Sequence, residues 1–170
     1  MAHCPTMPTL AAHGIAVSPP SGWDAQIFRR DPDPLPDRRA PDTLAPFGGV
    51  EAVPPIAHVA NFGLPPQRGD FGGGAVELMG TGAVFISLLE HTAEEATTAL
   101  FAGHGIPWPF APDDFSPDSL QRGIAGQAGL QRFFVVDGRA FCLYVVIGSY
   151  RMRGVLVREV NDVLATFTLS

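Results

Sequence analysis

The chain has 170 residues, 46% of them hydrophobic and only 16% charged, with a formal net charge of −6, a size that suits one domain burying about 70% of its unfolded surface. All eleven basic side chains are Arg, so chemistry that needs a lysine ammonium is excluded, whether a phosphate-loop lysine, a Schiff base or a kinase-type lysine. The acidic balance argues against nucleic acid and anionic membrane as partners, and the 19 Gly and 17 Pro favour strands and loops over long helices.

Residues 1–13 show no periodicity and read as a disordered tail, with a single α+β domain spanning 14–170. Ile15 to Ser18 reads as a short strand, Pro19-Pro20-Ser21-Gly22 as a turn, and Trp23 to Phe28 as the hairpin partner. From Asp31 to Pro55 seven prolines forbid regular structure, and this long Pro-rich loop reads as disordered rather than functional. Ile56 to Phe62 forms a third strand, and the turn-rich stretch Gly63 to Gly74 leads to Ala83 to Glu90, a strand apolar on both faces. Thr92-Ala93-Glu94-Glu95 matches a capping box and predicts a helix from Ala93 to Phe101, ended by an aromatic-proline loop, Ile106-Pro107-Trp108-Pro109-Phe110.

The strongest local signal is Asp137-Gly138, a type I′ turn dipeptide between Arg132 to Val136 and Arg139 to Ile147. Alternation sends Phe141, Leu143, Val145 and Ile147 to one face and Cys142, Tyr144 and Val146 to the other, so these strands are expected in the sheet interior, covered on both sides. Met152, Leu156, Val160, Val163, Leu164 and Phe167 recur at helical spacing and predict a closing amphipathic helix from Arg151 to Thr166. The fold class is therefore α+β, a mainly antiparallel sheet with a layer on each face.

The order of these pieces, with Pro20-Ser21-Gly22-Trp23 in the first turn, a covered strand ending in Glu90, Gly138-Arg139-Ala140-Phe141 opening the last strand and Val160-Asn161-Asp162-Val163-Leu164 in the closing helix, resembles the PsbP-like α/β/α sandwich superfamily. That superfamily also holds DcrB-like domains and actinobacterial lipoproteins, and the resemblance spans Gly14 to Leu169. It implies a fold whose known members mostly bind other proteins. The chain departs from it in having no lipobox and in its Pro-rich insertion, and a fold shared by many functions transfers function poorly.

Candidate sites were weighed against plainer roles. His91 with Glu90, Glu94, Glu95 and either His58 or His104 suggests metal ligation, yet the spacing fits no compact motif, and surface and cap roles are the better reading. Cys142 lies mid-strand and reads as a small hydrophobe, Gly72-Gly73-Gly74 as a flexible turn and Arg68-Gly69-Asp70 as a chance tripeptide. Arg132 and Arg139 suit a carboxylate or the blocking of a sheet edge. Trp108 and Phe110 stand out as partner-binding residues, because rings between prolines combine large apolar area with little entropy to lose; the alternative is that both fold back over a sheet face. No catalytic residue and no cofactor is assigned. With no leader or long apolar run and only two distant cysteines, a cytoplasmic location follows. The leading expectation is a non-catalytic module that binds another protein; the alternatives are a carrier with an apolar cavity between sheet and helices, or an enzyme with dispersed Asp, Glu and His groups.

Overall fold

The computed structural model describes residues 8–30 and 53–170. Most of the Pro-rich stretch lies outside the described residues, and its last member, Pro55, opens a strand. Five strands form the main sheet: β3 (Asp24–Arg29), β4 (Pro55–Ala60), β5 (Val84–Glu90), β6 (Ala128–Val136) and β7 (Arg139–Ile147). All pairs are antiparallel and the order is β3-β4-β5-β7-β6. A second, three-stranded sheet joins β1 (Leu10–Ala12), β2 (Ile15–Val17) and β8 (Thr168–Leu169) in the order β1-β2-β8. The fold is thus α+β and mainly antiparallel, with one α-helix, α1 (Arg153–Leu164), among the described residues.

Strand β7 lies inside the sheet, and both of its side-chain sets are apolar and buried. Its hairpin with β6 turns at Asp137 and Gly138, whose φ values of 47° and 77° are the two left-handed positions a type I′ turn requires. The pattern did not distinguish the places of the two strands. Strand β6 occupies the sheet edge rather than the interior, and its residues Gln131, Arg132, Phe133, Val135 and Val136 stay partly exposed. Loop backbone covers that edge at both ends: Val135 donates to Gly103 at 2.7 Å and Gly129 to Ser116 at 2.9 Å, with return bonds from Gly105 and Ser116.

One face of the main sheet carries α1. Leu156, Val157, Val160, Val163 and Leu164 pack against Val84, Ile86, Leu88, Leu143 and Val145, and burying each such side chain contributes about 1.5–3 kcal/mol. Met152, expected in this stripe, precedes the helix and is exposed. The small sheet closes one end of this layer, with Ile15 and Val17 in the same core cluster.

The opposite face is covered by loops and 3-10 turns. Leu64, Ala75, Val76, Phe71, Leu120 and Ile124 pack on Phe85, Tyr144 and Val146, so the expected layer exists but no α-helix forms it. The helix expected from Ala93 to Phe101 is replaced by two 3-10 turns, Glu95–Thr97 and Ala99–Phe101. Its capping box is formed all the same: the Glu95 carboxylate accepts from the Thr92 N–H at 2.9 Å and the Glu95 N–H donates to Thr92 Oγ1. A cap lowers the cost of starting a helix, yet only Phe101 in the following turns is buried, so too little apolar area supports propagation.

The opening hairpin is also different from expectation. Strand β2 pairs with β1 and β8, while β3 pairs with β4. Order therefore starts ahead of Gly14, and a two-residue turn at His13-Gly14 (φ 52° and 76°) joins β1 to β2. Residues 1–7 of the expected tail lie outside the described residues.

Candidate functional site

The aromatic-proline loop is built from both sides toward Trp108. Ile106 packs on the main core before it, and Phe110 after it is only 8% exposed and meets Phe115 edge-on with ring centroids 6.4 Å apart. The Asn161 side chain on α1 clasps the Phe110 backbone at both ends. Its Oδ1 accepts from the Phe110 N–H at 2.8 Å and its Nδ2 donates to the Phe110 carbonyl at 2.9 Å. Trp108, by contrast, is 46% exposed. The two nominated rings are separated by the structure: Phe110 folds back onto the core, the plainer role weighed for it, and Trp108 stands at the surface. Arg132, on the adjacent edge strand, lies with its guanidinium 5.8 Å from the Phe110 ring centroid.

A second site was not foreseen. Across the loop-covered face, one cross-strand row is polar from edge to edge: Gln26 on β3, His58 on β4, Ser87 on β5, Tyr144 on β7 and Gln131 on β6 are successive register partners. Neighbouring rows on the same face hold Phe85, Val146 and Cys142. Covering loops supply the partners that such a row needs. The Asp70 carbonyl accepts from Ser87 Oγ at 2.6 Å and from His58 Nε2 at 2.9 Å, while Arg68 Nε donates to His58 Nδ1 at 3.0 Å. Arg68 Nη2 reaches Gln26 Oε1 at 2.7 Å. The Gln121 N–H donates to the Tyr144 hydroxyl at 2.8 Å, and the Gln121 side chain meets Gln131.

These bonds fix the charge state of His58. A guanidinium N–H only donates, so Nδ1 is the acceptor and Nε2 carries the proton. The ring is fully buried and flanked edge-on by Phe28 and Phe85. Burial is the main cause that drives its pKa from 6.5 down to about 4; the bond to the Asp70 carbonyl opposes the shift and the neighbouring Arg68 charge adds to it. Ser87 and His58 both donate to one carbonyl, so His58 does not accept the Ser87 proton and the pair is not an activated nucleophile. Burial likewise raises the Tyr144 hydroxyl and the Cys142 thiol.

The groups suggested for metal ligation are dispersed. Glu90 binds Arg139 through two bonds of 2.8 and 2.9 Å, Glu95 is held by Thr92 and His91, and His58 is in the core. Among the described residues no three His, Cys, Asp or Glu side chains gather as a ligand set. The carboxylate that Arg139 suits is therefore Glu90 of its own chain, and the same guanidinium ties the carbonyls of His13, Gly14 and Ser170 to the main sheet. Arg139 sits on an interior strand, β7, so it guards no sheet edge. A cavity of about 510 Å³ opens beside this pair, lined by Arg29, Pro55, Glu90, His91, Thr92 and Glu94. Its wall mixes the charged Arg29, Glu90 and Glu94 with Val53, Pro54, Pro55 and Ala93.

No family model, no curated protein and no solved structure matches this chain. Among the described residues no helix is long and apolar enough to cross a membrane.

Proposed function

We propose that the protein is a non-catalytic interaction module that engages another protein through Trp108. The observation that carries this reading is a tryptophan 46% exposed on a loop pinned on both sides, by Ile106 in the core and by the Asn161 clasp on Phe110. A ring held in place loses little entropy on binding, and tryptophan is the residue type most enriched among interface anchors. The antiparallel sheet, its closing helix and the resemblance to the PsbP-like superfamily support a PsbP-like interaction domain acting in the cytoplasm.

The test compares the parent with Trp108→Ala as baits at equal concentration and in parallel thermal melts. The variant is expected to melt with the parent and to lose affinity for the captured partner by about 2 kcal/mol or more, roughly thirtyfold. Strong destabilisation would return Trp108 to a covering role, and equal recovery of the same partner would remove it from the interface.

A further inference from the structure

The loop-covered face, away from Trp108, carries a polar device that none of the functions above uses. His58 is fully buried, both ring nitrogens are engaged, and both partners belong to the same loop: Arg68 at Nδ1 and the Asp70 carbonyl at Nε2. Ser87 fastens to the same carbonyl from β5. The loop also packs Leu64, Phe71 and Ala75 on the sheet, so the imidazole is one anchor among several, and it is the one that holds Arg68 and Asp70 together.

That imidazole holds the loop only while it is neutral. A proton taken from solvent at Nδ1 consumes the lone pair that accepts from Arg68, leaving N–H facing N–H and two positive charges at a 3.0 Å separation. Relief is possible only by moving Arg68, which also carries the bond to Gln26 and lies over the Phe28 ring. Of the other charges around the site, Asp70 directs its carboxylate to Arg30 at 2.8 Å, and Asp24, which accepts from the Leu64 N–H at 2.9 Å, favours the charged form of Arg68 and not of His58. Strand β3 otherwise presents Gln26 and Phe28, and β5 presents Phe85 and Ser87.

We propose that the His58–Arg68–Asp70 clasp is an acid-release catch: protonation of Nδ1 frees the 64–75 loop from the sheet while the sheet and α1 stay folded. Release bares His58 and Ser87, both fully buried beneath the loop, to solvent. The downward-shifted acidity of His58 places the event between pH 6.5 and about 4.

Nitrogen-15 NMR of the imidazole and amide-exchange protection on the full chain test this together. At pH 7.5 the ring is expected as the Nε2–H tautomer. On acidification, protection at Leu64 and at Gly69 to Ala75 should fall up to tenfold per pH unit in step with protonation of His58, while Val157 to Val163 in α1 keep theirs. In His58→Gln the loop amides should hold a constant protection from pH 6.5 to 4.5. An Nδ1–H tautomer, protonation of His58 with the loop still protected, a loop that stays closed and a ring that stays neutral down to pH 3.5, or the same loosening in the variant would each overturn the proposal. If the variant does not fold, coincidence of the two transitions in the parent decides.

Discussion

Replacing Asn161 by Ala tests whether the Trp108 loop is built as described. Asn161 gives Phe110 both a donor and an acceptor, so the substitution deletes two hydrogen bonds at 2.8 and 2.9 Å and leaves a partly buried N–H and C=O unpaired. Each bond contributes about 1 kcal/mol net, and the orphaned groups add to the loss, so the expected destabilisation is about 2–3 kcal/mol. For a chain of this size that lowers Tm by about 5–10 °C. Urea unfolding followed by far-ultraviolet circular dichroism measures it. Asn161→Asp sharpens the result, since it keeps the acceptor for the Phe110 N–H but turns an oxygen toward the Phe110 carbonyl, and it should destabilise at neutral pH as well. A change under about 0.5 kcal/mol for Asn161→Ala would show that the clasp is dispensable and that Phe110 stays in place by ring burial alone.

Further expectations follow from the core and from charge. Leu164→Ala, in the buried face of α1, should lose about 2–5 kcal/mol in urea unfolding; a loss under 1 kcal/mol would mean the site collapses around the gap. Gly148→Ala would place a Cβ against the Gly80 carbonyl oxygen, a backbone atom with no rotamer to yield, and should lose about 3 kcal/mol or fail to accumulate as folded protein. Arg139→Ala leaves Glu90 and three carbonyls without their donor and should raise exchange at Ser170, whose N–H binds Gly14, well before exchange in β7 rises. For His58, whose folded pKa of about 4 lies below the unfolded 6.5, stability is complete above pH 6.5 and is lost as pH falls toward 4, by about 3 kcal/mol at most. The difference in urea stability between the parent and His58→Gln should narrow by that order over this window, and a constant difference would contradict the linkage.

Periodicity and turn chemistry carried the legible half of this fold. Asp137-Gly138 announced its hairpin because only certain residues take two successive left-handed positions, and α1 announced itself because its apolar side chains fall on one face. Pairing order was hidden, since nothing local tells β2 that its partners are β1 and β8 and not the strand that follows. The place of β6 at an edge was hidden for the same reason. Apolar character on both sides of a strand indicates coverage, and loops can supply coverage as well as helices do. Trp108 was legible only as a candidate, and its separation from Phe110 depends on Asn161, fifty-one residues from Phe110. The polar row left a faint trace: His58, Ser87 and Tyr144 each interrupt an apolar run, a signal that gains meaning only when register aligns them.

The pairing of β2 with β8 brings residues 15–16 against 168–169, nearly the full length of the described chain. During synthesis β2 can zip to β1 at once, but its other edge must wait until residues 168 and 169 have left the ribosome. Closing so long a loop is slow. The nascent chain therefore carries Ile15 and Val17 on a strand with one unpaired edge until residues 168 and 169 have been made.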